Sequence, residues 1–525
     1  MTEKTAIVIG AGIAGLATAA LLAKSGMKVT VLESRESIGG RAYLWEKDGF
    51  KFDMGPSWYL MPDAFDQFFK LMGTTAEKEL DLIQLDPAYK TIVEGYEEPI
   101  IVRDSLAKNR EMFEGIEQGG SASLEKYVAS AENAYQLSIK NFLYTNFKNA
   151  KGFTNPEVVR QAGKFIKFLT TSLDSYAGQF FKDERLKKIL DYPAVFLGAS
   201  PYETPSMYHL MTHVDMNIGV FYPKGGMFTL IEAAERLAVQ HGVQINTNSE
   251  VTKILCNGDQ ATGVMVGDVK YEADVVVGSA DLHHVETKLL PRHKQTFPES
   301  FWAKKTPGPS ALLIHLGVKG KIEQLEHHTL LFTQDWEGGF KEVFAKADGK
   351  RTIPDPANMY VCMPSKTDDT VAPEGYENIF ILVPSAADPS IGSGGINGEG
   401  DEALEKRADE IIDQLGDWAG IKDLRERVVV RRTVGPADFV NEFNAWSGTA
   451  LGMAHTLRQS AFFRPQNRSK KLKNLFYSGH NTIPGIGLPM CLIGAELVYK
   501  HLTDDPSNGP IERELTPQSE WKGLG

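Results

Sequence analysis

Residues 6–15 read AIVIGAGIAG, and they predict the architecture on either side of them. The apolar run 6–9 is typical of a short strand buried on both faces. Residues 16–25 are rich in Ala and Leu and are followed by Gly26, which predicts a helix that ends there. Residues 28–32, KVTVL, predict the next strand. These segments form a βαβ unit, whose parallel strands imply a sheet covered by helices.

Three glycines at motif spacing join the first strand to the helix. Gly10 suits a tight turn, Gly12 has no side chain to keep a pyrophosphate away from the backbone, and Gly15 allows the helix to pack closely on the strand. The motif, with Ile13 and Ala14 between the glycines, opens the helix, whose free N–H groups and positive dipole end favour phosphates. This arrangement predicts a dinucleotide site.

An acidic residue and a second glycine pair extend this motif. Glu33 ends the second strand, where a carboxylate can accept hydrogen bonds from ribose hydroxyls. Gly39 and Gly40 allow another close backbone approach, and Arg41 can neutralise a phosphate. The alternative is a purely structural turn with a solvated arginine. The order of strand, helix, acid and arginine favours the dinucleotide site, but the motif alone does not separate NAD from FAD.

Near the other end of the chain, residues 475–490 read LFYSGHNTIPGIGLPM. They predict a strand, a loop rich in Gly and Pro, and a helix over about 491–502. Backbone N–H groups of such a loop can stabilise negative charge on a ligand. An ordinary strand–loop–helix connection is the alternative, although it needs fewer glycines and prolines.

Bulk properties exclude several classes of protein. The chain has 525 residues, which predicts more than one domain, and its net charge of −12 argues against nucleic acid as a partner. The three cysteines are far apart and form no CxxC pair, so neither a disulfide framework nor a metal site is predicted. The glycines interrupt the uncharged run 6–23, and we expect no transmembrane helix.

These motifs resemble the bacterial-type phytoene desaturases, a carotenoid desaturase family of the amine oxidase-like flavoproteins. The resemblance extends from residue 6 to about residue 502. Besides the segments already quoted, it rests on FDMGPSWYLMP at 52–62, YPKGGM at 222–227, ADVVVGSAD at 273–281 and FRP at 463–465.

The resemblance implies an α/β fold, with a Rossmann-like FAD-binding domain of the glutathione reductase type and an inserted mixed α+β substrate domain. The FAD-binding domain is expected to be discontinuous, over residues 1–90, 220–300 and 435–503. Residues 91–219 and 301–434 are expected to form the substrate and membrane-facing region. Residues 504–525 are expected to be a loosely ordered polar tail.

The resemblance also implies FAD as the cofactor and no metal. Val251 is expected to contact the adenine side through its backbone, and the loop 55–57 is expected to run alongside the flavin. The implied cofactor-binding residues are Gly10, Gly12, Ile13, Ala14, Gly15, Glu33, Gly39, Gly40, Arg41, Gly55, Pro56, Ser57, Val251, Gly479, Gly487 and Met490.

The activity implied is conversion of phytoene to more conjugated carotenes, with lycopene as the expected product. Each step transfers a hydride to the flavin and loses a proton, with oxygen or a quinone as final electron acceptor. The protein would hold the apolar polyene in a tunnel over the flavin ring. No nucleophile–base pair is found in the sequence. His480 is a weak candidate for the proton acceptor, and a hydrogen-bonded structural histidine is the preferred interpretation.

Because phytoene resides in lipid, we expect a cytoplasmic protein that associates peripherally with a membrane surface. Segment 140–167 is basic within an acidic chain, and such a mixture with aromatic residues can lie in an anionic membrane interface. A core helix with a solvated basic face is the alternative. The residues concerned are Lys140, Phe142, Leu143, Phe147, Lys148, Lys151, Phe153, Arg160, Lys164, Phe165, Ile166, Lys167 and the adjoining Phe168, with Glu157 as the opposing acid.

Other functions remain open at the level of sequence. A desaturase of dehydrosqualene or of a hydroxylated carotenoid needs only a different tunnel. A carotenoid isomerase or an amine oxidase would use the same fold. A prenyl-binding protein without cofactor is a different class, and the retained glycine motifs with Glu33 and Arg41 argue against it.

Overall fold

The computed structural model describes residues 4–148, 154–344 and 351–521. In chain order, the strands are β1 (Thr5–Ile9), β2 (Lys28–Leu32), β3 (Leu44–Lys47), β4 (Phe50–Asp53), β5 (Leu82–Gln84), β6 (Tyr89–Val93), β7 (Ile100–Val102), β8 (Phe221–Pro223), β9 (Gln244–Asn246), β10 (Val251–Asn257), β11 (Gln260–Val266), β12 (Val269–Glu272), β13 (Val275–Gly278), β14 (Ser310–Lys319), β15 (His328–Phe332), β16 (Met359–Cys362), β17 (Tyr376–Ser385), β18 (Val428–Val434) and β19 (Leu475–Tyr477).

The helices of the described residues are α1 (Ile13–Lys24), α2 (Pro62–Met72), α3 (Ala76–Glu79), α4 (Leu106–Ile116), α5 (Gly120–Ser138), α6 (Pro156–Arg160), α7 (Ala162–Thr170), α8 (Leu173–Ala177), α9 (Glu184–Asp191), α10 (Pro193–Phe196), α11 (Leu210–His213), α12 (Phe228–Gln240), α13 (Leu282–Thr287), α14 (Glu299–Trp302), α15 (Trp336–Phe344), α16 (Glu402–Ala419), α17 (Pro436–Phe443) and α18 (Leu488–Thr503). None of these helices is both long and apolar enough to cross a membrane.

A five-stranded parallel sheet contains the N-terminal βαβ unit, which is confirmed. Its strand order is β19-β13-β1-β2-β9, and Ala6 of β1 lies between Val29 of β2 and Val275 of β13. The strands come from three distant parts of the chain. Helices α1, α12 and α18 share a hydrophobic core with this sheet, and the small antiparallel sheet β10-β11-β12 contributes to the core on its other side.

A second, seven-stranded sheet has the strand order β18-β14-β17-β16-β15-β6-β7. Its strands pair antiparallel except for β15 and β6, which are parallel. Alternate residues enter different cores, as a strand requires. Leu331 packs with helix α16, whereas Leu330 and Phe332 enter the largest core, with residues of α4, α5 and α9. The mixed α/β fold is thus as expected, while the exact domain boundaries stay a prediction.

Two local predictions need correction. Helix α18 begins at Leu488 rather than near Cys491, because Gly487 adopts a φ of 112° at the N-cap and Pro489 suits the first turn. The segment after residue 503 is not a loosely ordered tail over its described part, 504–521. It packs back on the fold of the N-terminal βαβ unit.

Buried groups on α18 explain why this C-terminal segment is ordered. Ile511 is buried, and its N–H donates to the carboxylate of Glu496 at 2.8 Å. The buried ammonium of Lys500 donates to the carbonyl of Gly509 at 2.5 Å. Trp521 packs edge-on against Tyr499. A buried ion pair needs such additional hydrogen bonds, and the segment supplies them.

We predict that Ile511→Ala weakens the docking of segment 504–521 by about 2–4 kcal/mol, because it removes a buried side chain and leaves a cavity. Amide hydrogen exchange across the segment should accelerate by roughly 30-fold or more. Ile396→Ala is the matched control, since Ile396 is exposed. Unchanged exchange in the Ile511 variant would contradict the docking described here.

Candidate active site

The first glycine loop lies at the carboxyl end of the parallel sheet. Gly10 has a φ of 103°, a conformation that favours glycine. A Cβ at Gly15 would collide with the carbonyl oxygen of Gly10, whereas a Cβ at Gly12 would meet no atom closer than 3.9 Å. Ile13 and Ala14 begin α1, so their N–H groups have no intrahelical acceptor. The loop therefore packs tightly on one side and leaves room for a ligand at Gly12.

The second glycine pair lies directly against the first loop. The N–H of Gly39 donates to the carbonyl of Ala11 at 2.9 Å, and Gly39 forms a parallel bridge with Gly12. A Cβ at Gly40 would come within 3.3 Å of the Gly12 Cα. A side chain at position 40 would push the two backbones apart, and one at position 39 would crowd Ala42 and Tyr43, so glycine suits both positions.

Glu33 lies beside these loops at the end of β2 and is buried. One carboxylate oxygen accepts a hydrogen bond from the N–H of Ala11 at 2.7 Å, and the other accepts from the N–H of Arg35 at 3.0 Å. The carbonyl of Glu33 accepts from the N–H of Ser249, which precedes β10 and Val251. The predicted ribose and adenine contacts are therefore neighbours in the structure.

Arg41 connects the glycine loops with the C-terminal motif. Its guanidinium lies 2.6 Å from Nε2 of His480 and 3.7 Å from the Asp281 carboxylate. Burial lowers the pKa of Arg41, and the charge of Asp281 opposes that shift. The buried Nε of Arg41 has no hydrogen-bond partner among the described residues. A cation with an unused donor beside two open glycine loops fits an anionic group such as a dinucleotide phosphate.

His480 has the contacts of a structural histidine. Burial and the Arg41 charge lower its pKa, the hydrogen bond to Asp281 opposes both effects, and the net value is about 4. The imidazole is therefore neutral at neutral pH and held between a cation and an anion. Its role as a proton acceptor stays a prediction.

The remaining predicted cofactor-binding residues lie in the loop next to Arg41 and in the C-terminal motif. A Cβ at Gly55 would collide with the carbonyl of Arg41, so the loop 55–57, including Pro56, lies against it. Gly10 and Gly479 both lie next to Ser279 at the end of β13. Gly487 caps α18, and Met490 lies in the first turn of that helix. The structure thus collects the predicted residues from both ends of the chain along one edge of the parallel sheet.

Asp53 connects two loops of the site, and the sequence analysis did not identify it as a functional residue. Its buried carboxylate accepts hydrogen bonds from the N–H groups of Met227 at 2.7 Å and Phe228 at 2.9 Å, at the start of α12. Burial raises the pKa of Asp53 to about 6, although both hydrogen bonds lower it. Asp53 therefore fixes the loop before Gly55 against the central glycine loop 222–227.

Next to this loop, aromatic and polar side chains form a wall. Trp58 stacks on His328 with ring centres 4.2 Å apart and meets Tyr89 edge-on at 5.5 Å. The Tyr360 hydroxyl lies 2.7 Å from the Ser57 hydroxyl and 2.8 Å from Nδ1 of His328. These residues come from four segments of the chain, so no local sequence signal identified the wall.

An apolar pocket adjoins this wall on the seven-stranded sheet. Tyr360 belongs to both the wall and the pocket, and most of the other lining side chains are hydrophobic or aromatic, with Asn358 as a polar exception. The pocket is lined by Tyr192, Phe332, Trp336, Phe340, Tyr360 and Leu382, among others. The lining suits a hydrocarbon, although the cavity volume of about 40 Å³ holds only a small part of a long chain.

The structure also brings together three side chains of the types that can bind a metal ion, which the sequence analysis did not connect. Donor atoms of His327, His328 and Cys362 lie within 4.8 Å of one another, and all three residues are buried. Burial raises the pKa of the Cys362 thiol to about 12 and lowers the pKa of His327 to about 3. The group is therefore uncharged at neutral pH, and a metal ion would have to displace the thiol proton.

Comparison with known proteins gives one matching family, described as flavin containing amine oxidoreductase, over residues 13–497. A carotenoid 3,4-desaturase of Haloarcula japonica is 38% identical, with 95% of this chain and 98% of that protein covered. A zeta-carotene-forming phytoene desaturase of Myxococcus xanthus is 32% identical, covering 94% and 93%. A 4,4'-diapophytoene desaturase of Staphylococcus haemolyticus is 31% identical, covering 96% and 99%.

Solved structures agree in fold. An oxidoreductase of Methanosarcina mazei superimposes with a TM-score of 0.61 at 18% identity, covering 94% of this chain and 100% of that one. Putrescine oxidase bound to putrescine gives a TM-score of 0.59 at 16% identity, covering 95% and 98%. At these identities the likeness concerns the fold alone.

We predict that Gly12→Ala folds but retains little flavin. Alanine suits the φ of −72° at this position, yet its methyl group would occupy the space for a phosphate. Loss of charge-assisted backbone hydrogen bonds, each worth about 1.5–3 kcal/mol, should weaken flavin binding by about tenfold or more. The flavin absorbance per protein after gel filtration measures this.

The comparison variant is Gly15→Ala, whose Cβ collides with Gly10. It should lower the thermal unfolding temperature of the apoprotein, whereas Gly12→Ala should not. Stoichiometric flavin in purified Gly12→Ala would show that the cofactor phosphates lie elsewhere.

Proposed function

Because the chain belongs to the flavin-containing amine oxidoreductase family and, within it, to the carotenoid desaturases, we propose that it desaturates phytoene to more conjugated carotenes, with lycopene as the expected end product. It is an FAD-dependent oxidoreductase acting on CH–CH groups. The observation that carries the proposal is similarity to three carotenoid desaturases over at least 94% of the chain. The apolar pocket beside the flavin-side loop supports it.

We assign the FAD phosphates to the loop Gly10–Gly15, the start of α1 and Arg41. Glu33 would bind the ribose, and Val251 would contact the adenine through its backbone. The loops 55–57 and 479–490 would lie along the flavin ring. When bound, FAD supplies a hydride acceptor that no protein side chain replaces.

The residues of the chain would then orient the substrate and exclude water. The pocket is mostly apolar, and two of its polar side chains already have partners: Asn358 accepts hydrogen bonds from Thr333, and the Tyr360 hydroxyl is bonded to Ser57 and His328. Binding energy would come from burial of apolar surface, about 25 cal/mol per Å². A polyene held in this way can present one CH2–CH2 unit to the flavin.

A second candidate is desaturation of an already conjugated carotenoid near its end. The similarity of 38% to a protein named carotenoid 3,4-desaturase favours it. Both candidates require the same cofactor and differ in the shape of the pocket. The final electron acceptor is proposed to be oxygen or a quinone.

We further propose peripheral attachment to an anionic membrane through the face formed by α7. Ile166 is 62% exposed and Leu169 is 42% exposed, and Lys164 and Lys167 lie on the same helix. Phe462, which packs against Phe147 of the basic segment, is about half exposed. This combination of exposed apolar side chains and lysines suits a lipid interface. Lys151 and Phe153 of the basic segment lie outside the described residues.

We predict that expression in a host that accumulates phytoene produces red lycopene or a yellow intermediate, measured by pigment extraction and chromatography. The flavin-deficient variant Gly12→Ala should leave phytoene unchanged. Unchanged phytoene with flavin-loaded wild-type protein would contradict the first candidate.

A parallel host that accumulates lycopene tests the second candidate, which predicts a product that is two hydrogens lighter and absorbs at longer wavelength.

We predict that the double variant Ile166→Ser, Leu169→Ser binds anionic vesicles at least about tenfold more weakly, because burial of each side chain is worth about 1.5–3 kcal/mol. Cosedimentation with phosphatidylglycerol-containing vesicles measures this. Val269→Ser, Val429→Ser is the control, since both valines are exposed on other elements. Equal binding of both variants would exclude α7 as the docking face.

A further inference from the structure

Asp215 is a buried carboxyl with one unused oxygen. It lies in the π-helical turn Val214–Ile218 that follows α11 and is 7% exposed. Oδ2 accepts a hydrogen bond from the Tyr89 hydroxyl at 2.7 Å, whereas Oδ1 has no hydrogen-bond partner among the described residues. A buried acceptor without a partner is costly, and π-helical turns occur frequently at functional sites.

Several other buried carboxyls in the described part of the chain have clear compensation. Asp281 lies near Arg41, Glu496 lies near Lys500, and Asp53 accepts two backbone N–H groups. Asp191 also carries an unpartnered oxygen, but unlike Asp215 it interacts with a cation, Lys187, as well as with Asp174. No Lys or Arg among the described residues contributes to the charge environment of Asp215.

The position of Asp215 connects it with the candidate active site. The Tyr89 ring that binds its Oδ2 meets the ring of Trp58, which directly follows the loop 55–57. Tyr192, which lines the apolar pocket, lies close enough to interact electrostatically with Asp215. The carboxyl is thus connected through Tyr89 to the aromatic wall and through Tyr192 to the pocket.

We propose that Asp215 is the base that accepts the proton released from the polyene in each desaturation step. This proposal rests on the proposed function and deepens it. It supplies the proton acceptor that the sequence motifs did not identify.

Each desaturation step removes two hydrogens from one CH2–CH2 unit, one as hydride and one as a proton. One carbon of the CH2–CH2 unit loses a hydrogen with its bonding pair, as hydride, to the bound flavin. The C–H bond on the adjacent carbon breaks, its electron pair becomes the new C=C π bond, and the proton binds Oδ1 of Asp215. The carboxyl returns the proton to solvent before the next step, and oxygen or a quinone reoxidises the flavin.

Electrostatics suit Asp215 for this role. Burial raises its pKa, the hydrogen bond from Tyr89 opposes this effect, and the net value is about 7. The titratable groups that interact with it are Tyr89 and Tyr192, whose own pKa values are raised by burial, so both are neutral. A base with a pKa near 7 is suited to neutral pH. His328 is a weaker base, because burial holds its pKa well below 6.5.

The test begins with Asp215→Asn, which keeps the shape and an acceptor for Tyr89. In the FAD-loaded enzyme, kcat should fall by about 100-fold or more, with flavin content unchanged. The wild-type kcat should rise with pH to a plateau, with its midpoint near 7. Tyr89→Phe should shift this midpoint to higher pH, because it removes the hydrogen bond that lowers the pKa of Asp215. Asp191→Asn is the matched control and should retain kcat within about threefold.

Stability gives a readout that does not depend on turnover. A carboxyl whose pKa is raised in the folded state destabilises the protein as pH rises from its ordinary value near 4 through about 7. Asp215→Asn lacks this effect, so it should unfold at a higher temperature than wild type at pH 8 and at a similar temperature at pH 5. A residue retained only for stability would give the opposite result.

The outcomes separate the two proposals. Active wild-type enzyme together with an Asp215→Asn variant that retains kcat within threefold, or an unshifted midpoint in Tyr89→Phe, would overturn the role of Asp215 alone. Flavin-loaded wild type without desaturation of any polyene tested would overturn the proposed function and this inference together. Loss of kcat combined with a gain in stability at pH 8 would support the assignment.

Discussion

The candidate site depends on the close contact between two glycine backbones at the edge of the parallel sheet. The hydrogen bond from Gly39 to the carbonyl of Ala11, and the bridge between Gly39 and Gly12, bring the second glycine pair against the first. Arg41 follows directly and reaches His480 and Asp281. The pairing of β1 with β13, and of β13 with β19, brings the C-terminal motif to the same edge. The cofactor assignment therefore depends on glycine at positions 12, 39 and 40.

The seven-stranded sheet places the second half of the site. One face packs on α16, and the opposite face enters the large core that contains the aromatic pocket. Apolar burial stabilises this arrangement, yet the same core contains Asp215 and the polar chain Ser57–Tyr360–His328. Such groups lower stability unless they are paired. Asp215 is poorly paired, and stability is commonly sacrificed in this way at functional positions.

The C-terminal segment shows how buried charges shape the periphery of the fold. The sequence of residues 504–525 is polar, which suggested a loosely ordered tail. In the structure, Glu496 and Lys500 need main-chain partners inside the protein, and residues around Gly509 and Ile511 provide them. Composition alone does not reveal a segment whose order depends on hydrogen bonds made to another element.

The sequence alone determined the features that depend on local geometry. The glycine spacing predicted β1, the turn, α1 and Glu33, because a tight turn and a close backbone approach require glycine at fixed positions. The resemblance based on these motifs correctly implied a flavin-dependent carotenoid desaturase. The tertiary structure decided the contacts between distant segments. Trp58, Tyr89, Asp215, His328 and Tyr360 meet only because β6, β15 and β16 are neighbours in one sheet and the turn after α11 packs beside them. No spacing in the sequence encodes that meeting, since the hydrogen bonds and ring contacts join residues that lie far apart along the chain.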